Sequence, residues 1–207
     1  MSAPLGFVLR LPEPWTDYDL TGKGLRTEHQ RARASVSTPA QRAAVDDAYR
    51  QVGDLLRASV RQGALSMSGI VEQHDEGMLI AFLAVFGVTV PDESSGDAQA
   101  LLASLRGEGG TGRRLSTVTL HHGVTGARVT AVETVNVADE NSVQMFTMTT
   151  VVPVPNGDGR HLVVSAVSPN LQEAELLEEL FDVLTGTLRF VVPLDDDEVD
   201  LVPDALR

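Results

Sequence analysis

Cysteine is absent from this chain, which excludes disulfides, a thiolate nucleophile and any sulfur-ligated zinc site. Lysine is nearly absent, with Lys23 the single example, so the positive charge is almost all arginine. Aromatic residues make up 4% of the chain, and they are not interleaved with basic residues in the way that nucleic-acid binding requires. No run approaches the ~20 apolar residues that cross a bilayer. Residues 1–10 lack the positive start and the long apolar stretch of a secretory signal, so the expected setting is the cytoplasm. A formal net charge of -13 repels nucleic acid and anionic membrane alike.

The motifs that carry chemistry are missing too. No His-Glu-x-x-His spacing is present to hold a metal, and no Gly-x-Ser-x-Gly elbow presents a nucleophile. The run Gly107-Glu108-Gly109-Gly110-Thr111-Gly112 follows a predicted helix and precedes a strand, the reverse of a phosphate-binding loop, and it lacks a Gly-Lys-Ser/Thr ending. It reads as a connector. His121 and His122 are neighbours on a predicted strand and should point to opposite faces, while His29, His74 and His161 stand apart. Asp158 lies between two glycines without the alternating acids of a calcium loop. The sequence therefore assigns no catalytic residue, no cofactor and no metal ligand.

What is present is a foldable body. At 207 residues, 43% apolar and 22% charged, residues 1–193 fit one domain built on one core. The segment 194–207 holds Asp195, Asp196, Asp197, Glu198, Asp200 and Asp204 against Arg207, the composition of a flexible acidic tail. Phe7–Leu11 alternates as a strand that ends at Pro12. Residues 17–37 are polar, contain Gly22 and Gly24, and show no sustained period, so they read as a long loop or a weak strand.

A first helix is expected after Thr38, with Pro39 in its first turn, Gln41 at capping-box spacing, and Val45, Ala48, Val52, Leu55, Leu56 and Val60 on one face up to Gly63. The segments Leu65–Gln73 and Met78–Val90 form a hairpin around His74-Asp75-Glu76-Gly77. A short helix is expected over 97–106. Strands follow at Leu115–His121, Ala127–Val137, Val143–Val154 and His161–Val167, separated by turns rich in Gly, Asn and Asp. A last helix carries Leu171, Ala174, Leu177, Leu180, Phe181 and Leu184 on one face, with Asn170 and Glu173 at cap spacing, and Leu188–Val192 extends beyond it. Met78–Val90 and Val143–Val154 are apolar on both faces, so each should lie centrally in a sheet covered on both sides. The fold class predicted is α+β: a largely antiparallel sheet flanked by helices on both faces, an α/β/α sandwich.

Two groups of residues suggest contact with a partner. Arg26, Arg31 and Arg33, with His29, form the one concentrated basic stretch and suit an acidic protein or the chain's own tail. The methionines Met67, Met78, Met145 and Met148 lie on β segments, where thioethers either fill a core or line an adaptable binding surface. The acids Glu173, Glu175, Glu178 and Glu179 belong to the solvated side of the last helix.

Two short motifs carry a resemblance. Phe7-Val8-Leu9-Arg10-Leu11-Pro12-Glu13-Pro14-Trp15 resembles the strand, proline and tryptophan entry of PsbP-like domains, and the capped helix running into Thr187-Leu188-Arg189-Phe190 resembles their closing helix and strand. That superfamily includes a photosystem extrinsic subunit, a Ran-binding import factor, mycobacterial lipoproteins and type VI secretion effector chaperones. The resemblance implies a binding domain without a shared catalytic site. The sequence departs from the lipoproteins in lacking a signal and a lipid-anchoring cysteine, and its loop after Trp15 is longer.

The function expected is that of a non-enzymatic adaptor or chaperone, linked to a secretion system, that holds a protein or peptide segment and uses neither nucleic acid nor membrane. Trp15, Arg26, Arg31, Arg33, Met145 and Met148 are the expected contact residues. The alternatives are a hydrolase whose histidines and acids meet only in the fold, and a structural subunit of a larger complex. Sequence leaves the oligomeric state open.

Overall fold

The two strands that are apolar front and back organise the molecule. In the computed structural model, which describes residues 6–74, 77–90, 110–138, 141–157, 159–193 and 199–201, both lie inside a seven-stranded sheet. Its strands are β2 (Thr16–Asp17), β3 (Ala64–His74), β4 (Gly77–Thr89), β5 (Gly110–Thr119), β6 (Thr125–Ala138), β7 (Asn141–Pro153) and β8 (Arg160–Ser168). Their order is β2-β3-β4-β8-β7-β6-β5, with every neighbouring pair antiparallel. β4 and β7 flank β8, so each has a partner on both edges and a buried layer on both faces.

Alternation along β4 sends Ala81, Leu83 and Val85 to one side and Phe82 and Ala84 to the other. The first side packs with Phe146, Met148, Val164 and Ala166 under the last helix, which inserts Leu177, Phe181 and Leu184. The second side meets Tyr18, Leu25, Val52, Leu56 and Met67 beneath a pair of helices. These are α1 (Lys23–Ser35) and α2 (Pro39–Arg61); the last helix, α3, spans Ala174–Gly186. Helices therefore cover both faces of a largely antiparallel sheet, the α+β sandwich that the strand pattern predicts. A further cluster of Ala127, Val129, Val151 and Val163 lies on the α1–α2 side, where Phe86 and Val88 pack against it.

A second, three-stranded sheet joins the two ends of the domain. β1 (Gly6–Val8) and β10 (Val199–Leu201) pair antiparallel with opposite edges of β9 (Arg189–Pro193). Val199–Leu201 falls inside the segment 194–207 expected to be a flexible acidic tail, and its backbone pairs with β9. The β1 ladder covers Gly6–Val8, shorter than the strand expected over Phe7–Leu11.

Residues 17–37 give the largest correction. The expected loop or weak strand is helix over Lys23–Ser35, after Gly22 in the left-handed region (φ 72°). Val60, placed on the buried face of α2 by periodicity, is exposed. Asn170 does not cap α3: its side-chain oxygen accepts the Ile80 backbone N–H at 2.9 Å, and Leu171–Glu173 forms a 3-10 turn before the helix starts. The helix expected over 97–106, Gly107 and Gly109 of the Gly-rich run, Asp75 and Glu76 of the hairpin turn, and Asp158 lie outside the described residues.

Candidate functional site

The helical pair α1–α2 owes its shape to polar chemistry. α2 begins with a complete capping box: Thr38 Oγ1 accepts the Gln41 backbone N–H at 3.2 Å, and Gln41 Oε1 accepts the Thr38 N–H at 3.2 Å. Pro39 occupies the first turn, where its missing N–H costs nothing. α2 buries Val52 and Leu56, whereas α1 buries Leu25 alone. Apolar contact therefore anchors α1 weakly, and side-chain cross-links complete the attachment.

Those cross-links converge on Asp46 of α2. His29 Nε2 lies 2.7 Å from Asp46 Oδ1, Arg33 Nε donates to Oδ1 at 3.0 Å and to Oδ2 at 3.2 Å, and the His29 ring stacks on Tyr49 with centroids 5.0 Å apart. The hydrogen bond from His29, and after it that from Arg33, holds the Asp46 carboxyl below its ordinary value of 3.8. Beneath them Tyr18 packs on Phe82; burial, then the nearby Glu28 carboxylate, pushes its phenol pKa up.

The sign of the Asp46 effect fixes a pH dependence. A carboxylate with a lowered folded-state pKa stabilises the fold above its unfolded value and loses that contribution as pH falls through the folded value. Asp46→Asn should therefore flatten the acid limb of the stability curve below 3.8, read by urea unfolding at a series of pH values. An unchanged acid limb would show that the triad contributes nothing to the attachment of α1.

The hairpin also separates charge. Residues 23–61 hold eight Lys and Arg against four Asp and Glu, whereas the rest of the chain holds eight against 25. Three of the hairpin acids are neutralised locally: Asp46 by Arg33, Asp47 by Arg50 at 2.6 Å, and Asp54 by Arg57 at 2.5 Å. The outward side of α1 presents Lys23, Arg26 and Arg31 among Thr27, Gln30 and Ala34, all exposed. Among the described residues none of these three cations has an ion-pair partner. The structure thus places Arg26 and Arg31 on an open basic surface and assigns Arg33 to the lock on Asp46. Lys23 joins this surface once the helix is recognised; its position, three residues before Arg26, was the available signal.

The remaining expected contact residues separate. Trp15 is half-buried and packs against the core under α3. Met148 is 1% exposed and Met67 equally buried, so both fill core and Met148 offers nothing to a partner in this fold; Met145 is half-buried on β7. Thioethers on a two-faced strand go to whichever layer has the gap.

Among the described histidine side chains, only the sequence neighbours His121 and His122 come together. His29 is on α1, His121 and His122 are in the β5–β6 turn, and His161 is on β8. His74 ends β3 with its side chain outside the described residues. An open groove of about 280 Å³ is lined by Phe7, Leu65, Val88, Val154, His161 and Phe190. Among the described lining residues His161 is the one histidine, and Nδ1–H of that ring donates to the Gly159 carbonyl at 3.0 Å. Among the described residues no group of three His, Cys, Asp or Glu is set to hold a metal ion. Of the acids on α3, Glu178 pairs with Arg114, while Glu175 and Glu179 face solvent. No described helix is long and apolar enough to cross a membrane.

No protein-family model matches the sequence, and no curated protein matches it. Among solved structures, the chain is similar to LpqN, described as involved in cell envelope biogenesis of Mycobacterium tuberculosis. The identity is 14% and the TM-score 0.44, over 92% of this chain and 86% of LpqN.

Proposed function

We propose that this chain is a non-catalytic adaptor or chaperone domain that holds an acidic protein segment against the outward side of α1. The observation that carries the reading is the segregation of charge. A strongly acidic protein keeps an excess of cations on one helical hairpin, pairs three of that hairpin's four acids internally, and leaves Lys23, Arg26 and Arg31 open. Such a surface attracts an acidic partner and speeds its approach while the rest of the molecule repels it, which orients the encounter. Arginine suits the task because its planar fork meets carboxylates two bonds at a time.

Membership of the PsbP-like superfamily, with its binding domains and effector chaperones, is part of the same proposal and is supported by the Phe7–Trp15 and Thr187–Phe190 motifs. A cytoplasmic setting goes with it, which the cysteine-free composition suits.

The test uses a defined probe, a fluorescent decapeptide of glutamate, in an anisotropy titration at low salt. The wild-type chain should bind it with an affinity that falls as salt is raised. The triple variant Lys23→Glu, Arg26→Glu, Arg31→Glu should bind at least about tenfold more weakly, about 1.4 kcal/mol. Equal binding by both proteins would remove the hairpin from the interface.

A further inference from the structure

A second basic assembly lies away from α1–α2, at the C-terminal end of α3, and draws on three distant parts of the chain. Val8 of β1 pairs with Arg189 of β9, which brings Arg10 and Arg189 to the same end of the small sheet. The Arg10 backbone N–H donates to Thr187 Oγ1 at 3.0 Å, and the Thr187 hydroxyl donates to the Leu184 carbonyl at 2.7 Å, tying this segment to the last turn of α3. From the β5–β6 turn, the His121 N–H donates to the Gly186 carbonyl at 3.3 Å. The His121 ring lies over Gly186, where an added Cβ would come 3.0 Å from Nε2.

His122 follows directly in the same turn. Partial desolvation, then the positive charges of Arg189, His121 and Arg10, hold its pKa below the ordinary 6.5.

Four basic side chains thus share one patch, and the charges acting on His122 are all positive. Five arginines elsewhere, Arg33, Arg50, Arg57, Arg114 and Arg128, each pair with an acid. Among the described residues Arg10 and Arg189 have none. The carbonyls that end α3 would repel an anion, but they are engaged: Leu184 by Thr187, Thr185 by the Leu188 N–H, and Gly186 by His121. The patch therefore combines uncompensated cations with a quenched helix terminus, an arrangement that stores repulsion until an anion relieves it.

We infer that Arg10, His121, His122 and Arg189 form a binding site for a phosphate group. Two arginine forks and two imidazoles match a compact, doubly charged oxyanion with several acceptor oxygens. The group can belong to a soluble phosphorylated compound or to a lipid headgroup.

The test follows the histidine ring protons of the full chain by NMR during titration with inorganic phosphate, near pH 6.5. His121 and His122 should shift saturably, and His29 and His161 should not. Arg10→Ala with Arg189→Ala should weaken binding at least about tenfold. His122→Gln, which leaves the strand pairings untouched, should weaken binding by a smaller factor and guards against loss of fold in the double variant.

Flotation with vesicles separates the sources. Capture by phosphatidic acid vesicles but not by phosphatidylcholine vesicles, lost in the double variant, identifies a headgroup. Saturable shifts without flotation identify a soluble phosphate compound. Absence of a saturable shift below about 10 mM phosphate, or equal shifts at His29, overturns the site.

Discussion

Phe181→Ala should cost about 3–5 kcal/mol of unfolding free energy, the largest effect of any single truncation considered for this fold. Phe181 is 0% exposed at the centre of α3, and its ring stacks on Phe146 of β7 with centroids 6.1 Å apart and planes 9° apart. It stands between Leu177 and Leu184, the two other buried anchors of the helix. Truncation removes the apolar area that fastens α3 to the sheet and leaves a void walled by strands. β7 and β8 cannot collapse into that void without breaking their ladders to β6 and β4. Thermal melting should show a midpoint lower by roughly 10 °C. A cost below about 1 kcal/mol would mean that α3 is not the lid of the main core. Leu176→Ala, an exposed position on the same helix, is the control and should change little.

The second large effect concerns a buried cation. Arg128 of β6 is 7% exposed beneath α3; its Nε donates to Thr150 Oγ1 at 3.0 Å and its Nη1 pairs with Asp182. Nη2 has no partner among the described residues. Asp182→Ala strands that guanidinium, and the cost should be about 2 kcal/mol. This is less than for a fully buried pair because the Asp182 side chain is 60% exposed and water can reach the vacated position. Arg128→Met, which fills similar volume and removes the charge, should cost less than Asp182→Ala. Urea unfolding of both variants checks the order. A larger loss from Arg128→Met would show that the ion pair stabilises the fold outright and is not a charge the fold must compensate.

The sheet was legible where the chemistry was periodic. Both two-faced segments, Met78–Val90 and Val143–Val154, could be recognised as central strands because apolar residues at every position demand cover on both sides. The turn chemistry at Pro155-Asn156-Gly157 located the β7–β8 hairpin, where Asn156 adopts φ 54°. Strand order was not legible, since alternation identifies faces and not neighbours. The placement of β8 between β4 and β7 rests on ladders such as Phe86↔Val163 and Val151↔Val163.

α1 was hidden for the opposite reason. From Leu25 to Ser35 it contains strong helix formers, Arg, Gln, Glu and Ala, and no proline, yet Leu25 is its one buried apolar residue, so it has no hydrophobic stripe to betray a period. Its basic residues were visible as a cluster; their presentation on one open side was not. The patch at Arg10, His121, His122 and Arg189 was invisible altogether, because three loop ends far apart in the chain assemble it. Asn170 misled as a cap since a side chain able to bond its own helix can equally bond a neighbouring strand.

Binding through α1 is tested most directly by quantitative affinity capture from the native host with two baits, the wild-type chain and its Lys23→Glu, Arg26→Glu, Arg31→Glu variant, matched for thermal stability. The expected result is a protein bearing an acidic segment that the wild type retains and that the variant loses by at least about tenfold. Retention of the same proteins in the same amounts by both baits would contradict it.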